Sequence, residues 1–205
     1  VELAVEAFHR LGYEPTFRQI DWGLKDSLLA NGEVDCLWGS FTMTGREDLY
    51  TWSGPYMTST QSVVVRADSS INTLSDLDGA CVAVQATTKP EEILLGTFDP
   101  RLPEVEKVYA ISQMDDVYAC LRKGYVDAIA GHTYALRTFM ETAPGAYRML
   151  DEVLLVSQLG VAFERGTHTD LADSLTEVLS ALKREGFTYN IAEKYGISAL
   201  EKEAE

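Results

Sequence analysis

Short apolar runs alternate with stretches of helical spacing along the whole chain, and few architectures accept that rhythm. Leu3, Ala4, Ala7, Phe8 and Leu11 share one helical face, and Gly12 suits the stop that follows. Residues 15–20 read as a strand and Leu24 to Ala30 as a helix ending near Asn31 and Gly32. Val34 to Trp38, Ser62 to Arg66 and Cys81 to Val84 are compact apolar runs of the kind that form buried strands. A helix from Pro90 to Phe98 follows, with proline near its start, where a helix tolerates it. Then come a strand from Val105 to Ala110 and a helix to Lys123, opened by a Ser112/Asp115 capping box and stopped by Gly124. Val126 to Ala130 is a strand and Tyr134 to Glu141 a helix. Val153 to Val156 and Gly160 to Phe163 read as two strands. Leu171, Leu175, Val178, Leu179 and Leu182 form a helical stripe ended at Gly186, and a last helix lies around Tyr189 to Lys194. Strands separated by single helices imply parallel pairing and an α/β fold.

The 205 residues suit one domain or two small ones. The polar, turn-rich stretch 67–79 reads as a boundary, and Ser157 and Gln158 mark a second, which predicts two α/β lobes joined by two crossings. Seventeen basic against 32 acidic residues leave a net charge of −15, which argues against nucleic acid and against docking on an anionic membrane. No apolar run approaches the ~20 residues that span a bilayer. The three cysteines, Cys36, Cys81 and Cys120, form no C-x-x-C pair. Free thiols among apolar neighbours are the plain reading, and a Cys81–Cys120 bridge stays open. No metal or cofactor is implied. The chain opens inside a helix without an initiator Met, so a segment of a longer protein is expected.

In open α/β sheets, ligands bind at the carboxyl ends of strands. Asp21 and Trp22 follow the first expected strand, and Gly39, Ser40, Thr42 and Arg46 follow the second. Gln85, Thr87, Thr88 and Lys89 follow the strand from Cys81, and His132 follows the strand from Val126. An indole, hydroxyls, a guanidinium, an ammonium and an imidazole suit a small-anion site. Arg46 can fork onto a carboxylate. Thr87 and Thr88 stand at a helix start, where N–H groups favour negative charge. Singly, each residue has a plainer reading as a surface charge, a cap or a core aromatic.

The run from Asp35 to Tyr56, DCLWGSFTMTGREDLYTWSGPY, resembles the signature DxxxxGMTITxER followed by DFSxPY of the amino-acid-type periplasmic solute-binding proteins, family 3. Residues 63–65, 74–79, 82–88, 124–128 and 160–166 continue the resemblance in order over nearly the whole chain. It implies a two-lobed periplasmic-binding-protein type II fold. Each lobe is a mainly parallel sheet flanked by helices, joined by a two-stranded hinge, and the lobes close on a ligand. Lobe one would be 1–64 plus 159–205, and lobe two 65–158. The WGSFTMTGRED variant also looks like a subgroup that serves as the extracytoplasmic sensor of a membrane diguanylate cyclase or histidine kinase.

The resemblance assigns roles to these positions. An aromatic at Trp22 stacks on the ligand. The backbone near Gly39 and Ser40, with the Thr42 hydroxyl, takes the amine and carboxylate. Arg46, helped by Thr88, binds the α-carboxylate, Gln85 reads the ligand side chain, and Lys89 lies beside the threonine. Three departures stand out. The family's first strand is missing and is expected upstream. The threonine-to-arginine segment is one residue short, and Arg46 rather than Glu47 keeps residues 52–56 in register. The family's acid for the α-ammonium falls on His132, which is neutral or cationic, so an anionic or dicarboxylate ligand gains ground over an ordinary zwitterion. The expected function is extracytoplasmic binding of an amino-acid-like or carboxylate ligand, without catalysis, read out by an ABC importer permease or a membrane-bound signalling domain. The full-length protein is expected to be membrane-tethered. The alternatives are a dehydratase of cyclic acids related to prephenate, or a degenerate domain that binds nothing.

Overall fold

The computed structural model describes residues 1–96, 99 and 101–197. Among the described residues, seven strands and seven α-helices follow in chain order. They are α1 (Glu2–Arg10), α2 (Lys25–Ala30), β1 (Leu37–Thr42), β2 (Thr51–Arg66), β3 (Cys81–Gln85), α3 (Lys89–Leu95), β4 (Lys107–Ile111), α4 (Met114–Arg122), β5 (Ala128–His132), α5 (Thr133–Glu141), β6 (Tyr147–Met149), β7 (Leu155–Phe163), α6 (Thr169–Arg184) and α7 (Phe187–Lys194). The chain divides into two compact units. The first holds Val1–Ile20, Leu24–Ser59 and the chain from Ser157 onward; the second holds Asp21–Gly23 and Thr60–Val156. The division falls inside β2 and β7, and the polar stretch 67–79 lies wholly within the second unit.

The second unit is an α/β sandwich. Its strands run in the order β2-β5-β3-β4, with β6 also on β2. β3 is parallel to β4 and β5, as strands joined through helices require, whereas β5 and β6 run antiparallel to β2. The two-residue period splits the apolar runs between two cores. Val63, Val65, Val82, Val84, Ala128 and Ala130 pack with Leu74, Leu77 and Leu94 on one face. Val64, Ala83 and Ile129 pack with Val117, Leu121, Leu136 and Phe139 of α4 and α5 on the other. A sheet covered on both faces needs continuous apolar strands, which is why these runs stand out in the sequence.

The first unit is built on β1, β7 and the first half of β2. β1 runs antiparallel to β7, pairing Leu37 with Ala162 and Phe41 with Gly160. Leu159, Val161 and Phe163 of β7 pack against Leu175, Leu179 and Leu182 of α6 and against Leu3 and Ala7 of α1.

Several expectations need correction. Residues 15–20 form no strand among the described residues. Under a two-residue period Phe17 and Ile20 point to opposite faces, and Phe17 is 54% exposed. The second strand begins at Leu37 and continues through Thr42, so Gly39, Ser40 and Thr42 are strand residues and not loop. An apolar run ends where side chains turn polar, but the ladder ends where the partner strand does, and β7 carries it on. β2 begins eleven residues before Ser62, at Thr51, for the same reason: its polar first half is paired. The two strands expected at 153–163 are one, and β6 was not foreseen. The Ser112 capping box does not form. β4 extends to Ile111, the Ser112 carbonyl accepts the Gln85 amide, and Gln113 holds the cap position without a side-chain bond. The helix expected to reach Phe98 runs to Leu95; Thr97 and Phe98 lie outside the described residues, as do positions 198–205 of the expected first lobe. Cys36, Cys81 and Cys120 are free thiols, so no Cys81–Cys120 bridge forms, and burial pushes the Cys36 thiol up to about 12.

Candidate functional site

In the first unit the candidate residues lie along β1 and the turn after it. The β1–β7 register shifts between Leu37 and Phe41: three β1 residues stand opposite one of β7. Ser40 takes up the excess with φ of 57°, a left-handed conformation that side chains adopt rarely. Gly39 and Ser40 are exposed, whereas Phe41 and Thr42 are buried. The bulge thus bares backbone at Gly39 and Ser40 while its flanks stay anchored. The Met43 N–H continues the ladder to the Gln158 carbonyl (2.8 Å). A tight turn follows. The Arg46 N–H donates to the Met43 carbonyl (2.7 Å), and the Gly45 N–H donates to the Glu47 carboxylate (3.0 Å).

Arg46 leaves this turn over the Phe41 ring, its Cζ 5.6 Å from the centroid, within cation–π range. Phe41, Tyr50 and Trp52 pack edge-on or tilted with centroids 5.1–5.3 Å apart. The Trp52 indole N–H donates to the Arg46 carbonyl (3.0 Å). The Tyr50 hydroxyl donates to Asp26, and Lys25 Nζ lies 3.3 Å from the other Asp26 oxygen. Burial, followed by the bond to Asp26, pushes the Tyr50 phenol well above its ordinary range.

In the second unit the register between β3 and β5 pairs Val84 with Ala130, which brings Gln85 and His132 to the same end of the sheet. The Gln85 side chain donates to the Ser112 carbonyl (3.2 Å). Thr87 has φ of 61°, and its N–H donates to the Glu91 carboxylate. The start of α3 thus carries an acid of its own. The Thr88 hydroxyl donates back to the Gln85 carbonyl (2.6 Å). Lys89 is buried, with Nζ 2.7 Å from Glu92. His132 stands opposite Gln61 in the β2–β5 ladder, and the buried Gln61 Nε2 lies 3.2 Å from Nε2 and 3.3 Å from Nδ1 of the imidazole. Behind it, buried Thr133 donates to the Thr60 carbonyl (3.0 Å), and its oxygen sits 2.7 Å from Thr60 Oγ1 and 2.6 Å from Ser62 Oγ. Trp22 lies in a short 3₁₀ turn grouped with this unit, half-buried, held by the Gly23 N–H donating to Asp21 (2.9 Å).

Within the first unit, then, Gly39, Ser40, Thr42 and Arg46 share β1 and its turn. Within the second, Gln85, Thr87, Thr88, Lys89 and His132 share one sheet end. Reading the sequence missed Lys25, Asp26, Tyr50 and Gln61. Lys25 carried a signal: it stands at i, i+3 and i+4 with Leu28 and Leu29, the buried face of α2. Gln61, inside a polar stretch, carried none.

Residues 1–198 match the bacterial extracellular solute-binding proteins, family 3. The chain belongs to that family. Among family relatives, it is 26% identical over 142 residues to the glutamate-binding protein GluB of Corynebacterium efficiens, a match covering 66% of this chain and 45% of that protein. The chain thus spans less than half the length of that relative. It is 22% identical over 197 residues to the L-cystine-binding protein TcyA of Bacillus subtilis, covering 95% of this chain and 70% of TcyA. Among solved structures, that of Tv2483 bound to L-arginine superposes with a TM-score of 0.86 at 27% identity, covering 97% of this chain and 81% of that one. GluB and TcyA are named for what they bind, and the family is an extracellular one. Among the described residues no helix is long and apolar enough to cross a membrane.

Proposed function

We propose that this family 3 protein binds a small amino-acid-like or carboxylate ligand outside the cytoplasm, without chemical turnover. The two compact units act as the lobes that close on the ligand. Trp22, Gly39, Ser40, Thr42 and Arg46, together with Gln85, Thr87, Thr88, Lys89 and His132, supply the contacts. The observation that carries the reading is the bulged end of β1. It bares the backbone at Gly39 and Ser40 and leads directly into Arg46, whose guanidinium rests on Phe41. A donor fork beside open backbone is what a ligand carboxylate needs. His132, at the position where the family resemblance implies an acid, shifts preference toward ligands with anionic groups. Closure is read by a membrane partner, an ABC importer permease or a membrane-bound signalling domain, and the full-length protein is tethered to the membrane. Ligand shifts the closed population only as far as it binds closed better than open.

The test is a thermal-shift screen of amino acids, dicarboxylates and aromatic acids on wild type and Arg46→Ala. A ligand at a hundred times its dissociation constant adds about 2.7 kcal/mol of stability. At least one carboxylate-bearing compound is expected to raise the wild-type midpoint, and Arg46→Ala to lose that rise. No shift with any compound, or a full shift in Arg46→Ala, overturns the reading. Consumption of a cyclic acid by the purified protein overturns the absence of turnover.

A further inference from the structure

Lys25 is an unexpected charge in the first unit. It stands in the apolar stripe of α2 beside Leu28 and Leu29, where a leucine would serve the core better, yet it is only 3% exposed. Keeping an ammonium out of water is costly, and a buried cation is rarely retained for packing alone. Its surroundings tie it to the candidate site. Lys25 Nζ lies 3.3 Å from Asp26 Oδ2, while Asp26 Oδ1 accepts the Tyr50 hydroxyl. The Tyr50 ring meets Phe41 at 5.1 Å and Trp52 at 5.3 Å. Phe41 carries the Arg46 guanidinium at 5.6 Å, and Trp52 holds the Arg46 carbonyl at 3.0 Å. Lys25 and Arg46 are therefore linked to one cluster of three rings, in a chain with nearly twice as many acidic residues as basic ones.

We propose that Lys25 is a second anion-binding group of the site that Arg46 serves, and that the ligand carries two acidic groups. The inference rests on the reading of Arg46 as a carboxylate-binding residue. Arg46 takes one carboxylate by its fork. Lys25, held by Asp26, whose other oxygen accepts the Tyr50 hydroxyl, takes the second as a point charge. A ligand with an amide in place of the second carboxylate presents Lys25 with a neutral group and leaves the buried ammonium with less compensation.

The experiment is calorimetric titration of wild type, Lys25→Met and Lys25→Arg with L-glutamate, L-glutamine and glutarate. Wild type is expected to bind L-glutamate at least about tenfold more tightly than L-glutamine, the discrimination of one charged hydrogen bond. Lys25→Met, whose side chain fits the α2 stripe, should lose that ratio. Its affinity for L-glutamine should change by less than its affinity for L-glutamate, because the ammonium's contact with a neutral amide is weaker than its contact with a carboxylate. Lys25→Arg should keep the preference. L-glutamine binding wild type as tightly as L-glutamate overturns the inference, and this outcome needs no variant to fold. A folded Lys25→Met that keeps the wild-type ratio overturns it as well. The two failures are distinct. Binding that depends on Arg46 but not on Lys25 overturns this inference and leaves the proposed function standing, as does no binding of any of these three probes by a wild type that binds another compound of the wider screen; only a wild type that binds nothing in that screen removes both.

Discussion

Gly160 lies so close beneath Trp52 that a Cβ built on it would stand 2.8 Å from Cε3 of the indole. The same Cβ would stand 2.6 Å from Cγ and Sδ of Met43. Met43 is a flexible chain and can swing aside. Trp52 has less freedom, because its N–H is committed to the Arg46 carbonyl and its ring packs against Phe41 and Tyr50. Gly160→Ala is therefore expected to cost about 1–3 kcal/mol, the range of overpacked cores, read as a lower urea midpoint. It should also weaken carboxylate binding, since moving Trp52 moves the Arg46 backbone. An unchanged midpoint would show that Met43 alone absorbs the methyl.

Thr133 joins the hydroxyls of Thr60 and Ser62 in a buried cluster at the start of α5. Thr133→Val keeps the shape and removes the oxygen, so two buried hydroxyls lose a common partner. The expected loss is about 1–3 kcal/mol, against much less for Thr133→Ser, which keeps the oxygen. Calorimetric unfolding of the two variants compares them directly, and equal losses would assign the effect to the missing methyl packing.

The second unit was the more legible half. Cys81–Val84 and Val126–Ala130 announce themselves because their sheet is covered on both faces, which demands apolar residues at every position. The first unit hides its strands. Thr51–Ser59 reads as polar, yet it belongs to a paired strand, and only Ser53 and Tyr56 of that stretch are buried. Gln85 and His132, expected just after their strands, are instead the last residues of β3 and β5, but the sheet end they share was readable because the two strands are parallel. Gly39 to Thr42 could not, because a bulge is set by the partner strand and not by the residues that form it. Lys25 was legible as a position on the stripe but not as part of the ring cluster, since Tyr50 reaches its neighbour Asp26 only in the fold.

Asp76 accepts the N–H groups of Asn72 (2.8 Å) and Thr73 (2.9 Å) in the 3₁₀ turn Leu74–Leu77. The Asn72 bond first, then the Thr73 bonds, hold its carboxyl below the ordinary range. A carboxyl lowered on folding stabilises the protein above its unfolded value, about 3.9 for Asp, and loses that contribution as pH falls through the folded value. Asp76→Asn should therefore melt below wild type at about pH 6, with the gap closing toward about pH 2.5. A gap independent of pH would mean that the charge of Asp76 plays no part in the turn.

His132 ends β5 opposite Gln61, where its ring faces an amide and offers a ligand no fixed negative charge. An α-ammonium gains little there, so wild type is expected to bind glutarate within about threefold of L-glutamate, which differs from it by that ammonium. His132→Asp introduces an acceptor-only carboxylate at the same strand end. Attraction for the ammonium and repulsion of an additional anion then act in the same direction. The variant should prefer L-glutamate to glutarate by at least about tenfold, and mainly through faster release of glutarate. Titration of both proteins with both probes measures the ratio. A variant that keeps the wild-type ratio would take His132 out of ligand discrimination and return its role to holding Gln61 in the β2–β5 ladder.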